Sequence, residues 1–435
     1  MANRKKAPEE ASCLFGAFRG IKPLILFQPF CEKKFDGEIN LAKKAAIAFS
    51  FFAFISGIML SSALAANSLK IGVMLPLTGH LAPFGRIQQK SVLMAAGEVN
   101  AGGGINGKKI ELIEADTQGN PDVGRRAIET LIKRGKILVI GGGFSSTVTW
   151  STISIAQRNK IPFLVNSAAA DKITEQSWEY IFRLNPPVSK SLDAVASFVS
   201  TVATDIRTVA IVHANSLKHA ADARRFFKKA GELGLKPVIR EGFEAGAADF
   251  RPLLTRVKAK NPDLIYAAAD NAKGAALLVR QSKDLKLNPK LFVGGGNGFV
   301  QPEFAAHAGQ ASDHIVCTAI WTPTVPHRGA GTFNEKFIAR YKTPPEHYGA
   351  EAYAGITVIA DALKRTKVPT PKNVRDALAK TNLMTVLGPV KFISYKNKSQ
   401  QNKLPAFLVQ WLNGQLQIVW PKSMATKKIV YPAPK

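Results

Sequence analysis

Cysteine is almost absent from this chain, occurring only at positions 13, 31 and 317 of 435. Cys13 and Cys31 lie in an N-terminal segment that maturation is expected to remove, leaving Cys317 alone. No internal disulfide can then form, and the mature fold must be held by packing. Acidic residues are scarce as well: Asp and Glu total 31 against 59 Lys and Arg, a formal net charge of +28. Residues 1–65 hold nine basic and five acidic residues, so the mature chain keeps +24. The excess is spread along the chain, and Arg224, Arg225, Lys228 and Lys229 read as a solvated helix face. Nucleic-acid binding would need a basic patch interleaved with stacking aromatics, so no such partner is expected. The charge should instead raise the encounter rate of anionic solutes, less so as salt is added.

An apolar run long enough to span a membrane is also missing. In "AKKAAIAFSFFAFISGIMLSSALAAN" two lysines precede an apolar run from Ala45 to Leu60 and the small-x-small end Ala63-Leu64-Ala65. The run is shorter than the ~20 residues a spanning helix needs, and no stop-transfer pattern follows. It reads as a secretory signal cleaved near Ala65 or Ala66, hence an exported protein. No cysteine stands at the cleavage point, so lipid anchoring through one is not expected. The first 40 residues carry acids and cysteines unusual for a signal, which places the working leader near Leu41 and makes Met1 an upstream start.

Catalytic and nucleotide motifs fail on spacing. The stretch "VIGGGFSSTVTW" runs from a strand into glycines and hydroxyls at Val139–Trp150. A phosphate-cradling GxxxxGK[ST] is not there, and Ser146 and Phe299 stand where a dinucleotide fingerprint needs its third glycine. A hydrolase elbow GxSxG fails at Thr147. His80, His213, His219, His307, His314, His327 and His347 show no metal-ligand spacing, and no nucleophile has a base placed by a motif. No catalytic residue, metal or cofactor is therefore assigned, and the chain is not expected to be an enzyme. What remains is a strand ending in glycines, followed by a helix whose free N–H groups and positive end suit an anion, with Ser145 and Ser146 adding hydroxyls. The plainer role for either serine is to cap its own helix.

With 46% apolar and 21% charged residues the chain can bury a full core in roughly two or three domains. Short Val, Ile and Leu runs alternate with helical stretches, as in a mostly parallel sheet with crossover helices. The strands read as "KIGVMLPL", "KIELIEAD", "ILVIGGG" and "IPFLVNSA", then, after "YIFRLNPP", as "TVAIVHA", "KPVIREGFE", "DLIYAAAD" and "KLFVGGG". Asp122 is a candidate helix cap; Asp270 and Asn271 read either as caps or as cleft residues, and His213 is a further contact candidate. After "IVCTAIW" the chain turns helical, then ends in "VKFISY", "FLVQWLNG" and "LQIVWP" with a hairpin at Asn413-Gly414. The fold class is α/β: two lobes, each a mostly parallel sheet flanked by helices.

Taken in order, "IGVMLPLTGHLAPFG", "EVNAGGGINGKKIELIEADTQGNP", "VIGGGFSSTV", "IPFLVNSAAAD", "YIFRLNPP", "GFEAGAADFRPLLTRVKAKNPDLIY" and "VLGPVKF" resemble the branched-chain amino-acid-type substrate-binding proteins of ABC importers, over nearly all of residues 69–421. The resemblance implies a type I periplasmic clamp, with lobe 1 at 69–187 plus 320–388 and lobe 2 at 188–319 plus 389–435. The hinge strands would lie near Arg183 to Pro187, Ala319 to Thr322 and Leu387 to Val390. It implies that Ser145, with neighbouring Ser146, and Ser167, Ala168 and Ala169 hold a ligand carboxylate, and that Phe84 walls the pocket. Tyr348 and Tyr353 lie near a family aromatic position but read as core. Two departures bear on specificity. Asn297 in "GGGNG" stands where amino-acid binders place an acid for the ammonium group, and Lys218-His219 replaces a tyrosine-glycine pair. The expected ligand is a small carboxylate without an ammonium group. The expected partner is an inner-membrane ABC permease, and the family's clamp works as a monomer. A ligand-sensing receptor subunit is the alternative, with an exported enzyme further behind.

Overall fold

The computed structural model describes residues 68–434 other than Ala245 and Asp270. The leader with its signal, and the cleft candidate Asp270, lie outside the described residues. Two sheets organise the chain, in the strand orders β11-β12-β13-β5-β4-β3-β1-β2 and β15-β14-β10-β9-β8-β6-β7.

The first sheet starts from β1 (Leu69–Leu75), which pairs in parallel with β2 (Ile110–Asp116) on one side and β3 (Val139–Gly142) on the other. β4 (Phe163–Val165) and β5 (Ile181–Arg183) extend it, also in parallel. β1 is buried almost throughout whereas edge strand β2 is half-exposed, as expected when helices cover both faces of a parallel sheet. The second sheet repeats the order with β6 (Thr208–Ala214) between β7 (Lys236–Phe243) and β8 (Leu264–Ala268), followed by β9 (Leu291–Gly295) and β10 (Val316–Ala319). In each sheet the winding reverses beside the first strand, at β1/β3 and β6/β8. Ligands of open α/β sheets bind in the crevice at such switch points.

Local rules account for the joints. Asn106 and Gly107, with φ of 51° and 76°, make the tight turn into β2, and Asn413 and Gly414, with φ of 51° and 71°, make the hairpin between β14 (Phe407–Leu412) and β15 (Gln415–Trp420). Asn120, not Asp122, caps helix α2 (Pro121–Gly135): its side chain accepts from the Asp122 and Val123 N–H groups, and Asp122 instead pairs with Arg125. Proline at the first helical position lacks an N–H and shifts the cap to the residue before it.

The third crossover differs from expectation. Strands β11 (Asn382–Thr385), β12 (Gly388–Tyr395) and β13 (Lys398–Asn402) belong to the first sheet, where β13 lies beside β5, and the chain enters the second sheet only at β14. The boundary placed at 388/389 and the hinge at Leu387 to Val390 therefore move to residues 403–406. The polar strand "KSQQN" carries no apolar alternation to announce it. Its amides serve the hinge instead: Gln401 Nε2 donates to Asn185 O at 2.9 Å and Asn402 Nδ2 to Leu184 O at 3.0 Å, so the first and third crossovers are stapled together. At the same place Arg183 is fully buried.

Candidate ligand-binding site

The loops after β3 and β4 build one side of the cleft. Helix α3 (Ser146–Arg158) begins directly behind the glycines, and Ser145 caps it, its Oγ accepting from Val148 N at 3.5 Å. The backbone must reverse sharply here: Gly142 has φ 116°, and a Cβ on it would lie 2.3 Å from Met74 O. Gly143 O then accepts from both Ser167 N (3.2 Å) and Ala168 N (2.9 Å), and Ser146 Oγ accepts from Ala170 N at 3.2 Å. These bonds sew the two loops together. Capping uses only a lone pair, so the hydroxyl protons of Ser145 and Ser146 remain available to an acceptor, beside the first-turn N–H groups that a helix leaves unpaired. The capping role expected of one serine is thus seen at Ser145, and it is compatible with anion binding.

The residues after β4 divide. Ser167 and Ala169 are half-buried, whereas Ala168 is 1% exposed with its N–H taken up by Gly143, so it presents no donor to the cleft. Ser167 Oγ accepts from Gln88 Nε2 at 2.5 Å. Phe84, in the first turn of helix α1 (Ala82–Ala101), stacks on Phe144 with ring centroids 5.4 Å apart. Tyr348 meets both rings edge-on, at 5.4 Å from Phe84 and 5.0 Å from Phe144. The sequence reading assigned Tyr348 to the core and passed over Phe144. Both join Phe84 in one aromatic wall, and the signal for Phe144 was its place inside the glycine-serine loop. Tyr353 does pack inward, with its ring 4.6 Å from Phe333 and its hydroxyl donating to Glu98.

The second half reaches this wall through the loop after β9. Asn297 sits in the loop after β9, and its Nδ2 donates to the Tyr348 hydroxyl, a bond between the two halves of the molecule. Ser216 caps helix α6 (Leu217–Glu232) by accepting from His219 N at 3.2 Å, and its hydroxyl also meets His219 Nδ1 at 2.8 Å. Lys218 lies in the first turn of α6, but its side chain is outside the described residues. Asn271 caps the helix after β8, accepting from Gly274 N at 2.9 Å. His213 is half-buried, with Nδ1 3.0 Å from Ala214 O.

One electrostatic feature spans the two halves. Burial pushes the Glu346 carboxyl, at the start of helix α11 (Glu346–Lys364), up to about 7, and Glu303 on the opposite half adds to the rise. Among the described residues no cluster of His, Cys, Asp and Glu is arranged to hold a metal ion, and no helix is long and apolar enough to cross a membrane.

Comparison with known proteins agrees with this geometry. The family model for periplasmic binding proteins matches residues 68–415. The leucine-, isoleucine-, valine-, threonine- and alanine-binding protein of Pseudomonas aeruginosa is 26% identical over 348 residues, covering 80% of this chain and 90% of that relative. The branched-chain amino acid transporter substrate-binding protein LivJ from Streptococcus pneumoniae, solved with isoleucine, is 26% identical with a TM-score of 0.68 and covers 81% of this chain and 100% of its own. A solute-binding protein of an ABC transporter from R. palustris, solved with benzoate, shares the fold at 20% identity and a TM-score of 0.66, covering 81% of this chain and 95% of its own. Two mostly parallel sheets of the same winding fit the match over residues 68–415: the chain belongs to the periplasmic binding protein family, the substrate-binding components that capture a small solute and hand it to an ABC permease.

Proposed function

We propose that the cleft captures a small carboxylate without an ammonium group, preferably one with an aromatic ring, and that the protein works as a periplasmic monomer. The observation that carries this reading is the aromatic wall of Phe84, Phe144 and Tyr348, flanking a helix N-terminus with two hydroxyls whose protons are uncommitted. Ser145 and Ser146 would take the carboxylate and the rings would flank the apolar body, a combination of offset stacking and anion binding with general precedent. Asn297 supports it: a neutral amide bonded to Tyr348 stands where the resemblance implies an acid for the ammonium group. Lys218, one residue before the cap's partner His219 in sequence, stands where the resemblance implies a tyrosine and adds a positive charge to the chain there.

The lobes close because contacts to both exist only in the closed state, and the ligand shifts that balance by its differential affinity. In calorimetry with benzoate, short-chain acids, leucine and valine, the acids are expected to bind and the amino acids not. Micromolar or tighter leucine or valine binding with none for simple acids overturns the reading. Ser145→Ala combined with Lys218→Ala should weaken the best acid at least tenfold, about 1.4 kcal/mol. Unchanged affinity would reject this map of the site. Phe84→Ala should weaken benzoate more than acetate, as checked in the same titrations; an equal loss for both would remove the ring from the pocket wall.

A further inference from the structure

Spread along the sequence, the positive excess is not spread evenly over the fold: in the first half it gathers at the end away from the cleft. β1 to β5 start level there, in one row of bonds. Leu69 N donates to Lys109 O at 2.8 Å, Leu138 N to Lys70 O at 2.9 Å, Ile140 N to Pro162 O at 2.8 Å and Phe163 N to Tyr180 O at 2.8 Å. In a parallel sheet each crossover helix ends where the next strand starts, so the C-termini of α1, α2 and α3 come to this end as well. Helix α11 runs alongside α1 in the same direction, with Tyr348 beside Phe84 and Tyr353 beside Glu98, and it too ends there.

Exposed cations collect on this pole. Lys109 leads into β2, Lys133 and Arg134 lie in the last turn of α2, and Lys136 and Lys160 follow α2 and α3. Lys364 and Lys367 flank the turn after α11. Acids near the pole are largely taken by other cations: Glu111 lies 4.0 Å from Lys70, Asp361 pairs with Arg365 and Glu179 with Arg375, while Glu129 is exposed on α2. Cations in a last turn also suit the negative end of the helix, which accounts for Lys133, Arg134 and Lys364 but not for Lys109 or Lys367. Edge strand β2 carries the gradient within itself, from Lys109 at its start to Glu114 and Asp116 toward the cleft. The corresponding end of the second half has acids laid among its lysines: Lys290 bridges Asp205 and Asp263, each at 3.1 Å, and Lys229 pairs with Glu232 at 2.8 Å.

We propose that this pole is a docking surface for an anionic lipid bilayer. Two observations favour a bilayer over a soluble polyanion. Val368, next to Lys367 in the turn after α11, is 62% exposed, and an apolar tip in a basic collar suits the headgroup layer. A soluble polyanion would meet the lysines alone. The chain also enters the fold at this pole: β1 starts at Leu69, and 69 − 60 gives nine residues from Leu60, the last of the apolar run read as a signal. Nine extended residues reach roughly 30 Å, so a signal lodged in the bilayer holds this end of the fold within that distance of the lipid surface. Docking by the end away from the cleft leaves the cleft turned to the solution, and capture takes place at the membrane. The proposal rests on the export reading and is independent of which solute the cleft takes.

The experiment is co-sedimentation of the mature chain with vesicles of phosphatidylglycerol and phosphatidylcholine in equal parts, and with vesicles of phosphatidylcholine alone. Binding is expected to the anionic vesicles only, strong at about 0.01 M salt and lost at about 1 M. Lys109→Gln, Lys133→Gln, Lys160→Gln and Lys367→Gln combined should weaken it at least about thirtyfold. Lys228→Gln, Lys258→Gln, Lys260→Gln and Lys283→Gln take the same charge from exposed positions of the second half and should cost less than about threefold. Exposed substitutions of this kind leave the thermal midpoint nearly unmoved, so the loss reads the surface and not the fold. Val368→Ser should lower vesicle binding and leave binding of inorganic polyphosphate as it was. Equal losses in the two lysine variants would mean that net charge alone is at work, and they overturn the proposal. So does binding of both kinds of vesicle alike, or of polyphosphate without anionic vesicles.

Discussion

Replacing Arg183 with methionine is expected to destabilise the protein by about 3–5 kcal/mol, the cost of removing one partner from a buried charged network. The guanidinium is wholly buried at the end of β5, where it donates to Gln401 Oε1 at 2.6 Å, Ala170 O at 2.5 Å and Thr174 Oγ1 at 2.9 Å. Burial pulls its proton affinity down to about 10 while Asp171, Tyr395 and Glu175 hold it up, so it stays charged. Around it, Lys398, 7% exposed on β13, bridges Asp171 at 3.1 Å and Glu175 at 2.6 Å. Methionine fills much of the volume but removes all three guanidinium bonds, leaving Gln401 Oε1 to the Thr174 hydroxyl and Ala170 O to the Ile173 N–H, and takes a cation away from Asp171 and Glu175. Arg183→Lys keeps the charge and loses the fork, and should fall between the two. The network joins β5 to β13, so the loss should appear in the midpoint of denaturant unfolding. A drop under 1 kcal/mol would mean that the staple of Gln401 and Asn402 holds the hinge without the guanidinium.

Glu351→Gln should raise stability at pH 8 by an amount that disappears toward pH 4.5. A carboxyl with an ordinary value of 4.5, pushed up to about 8 by burial, keeps its proton in the native state while the unfolded chain loses it. Between those values the unfolded state binds fewer protons, so wild-type stability declines by ~1.4 kcal/mol per pH unit and levels off above the native value. The neutral amide carries no such penalty. The gain at pH 8 is on the order of 4 kcal/mol. Thermal unfolding of both proteins from pH 5 to 9 measures it. Parallel curves would show that Glu351 is ionised in the native state.

Much of the fold was legible because the strands of a doubly covered sheet are apolar throughout. "TVAIVHA" is β6 residue for residue, and "DLIYAAAD" and "KLFVGGG" contain β8 and β9. β13 was not legible: "KSQQN" has no apolar alternation, since its side chains bind backbone at the hinge. That one strand moved the last lobe boundary. The site divides in the same way. Ser145 stood out because a glycine-ended strand followed by serines is a local pattern. Tyr348 did not, because its partners Phe84 and Phe144 are more than 200 residues away and only folding brings them together.

By itself the sequence determined an α/β chain of twice-repeated parallel units, a helix end suited to an anion, and a chain with only three cysteines. These follow from periodicity, glycine placement and composition, which are properties of neighbouring residues. Only the tertiary structure decided that Phe84, Phe144 and Tyr348 form one wall, that Asn297 bonds across to Tyr348, and that Glu351 is buried on the inner face of its helix. A side chain's electrostatics depends on what surrounds it in space, and a glutamate in a helix reads the same in sequence whether it faces water or the core.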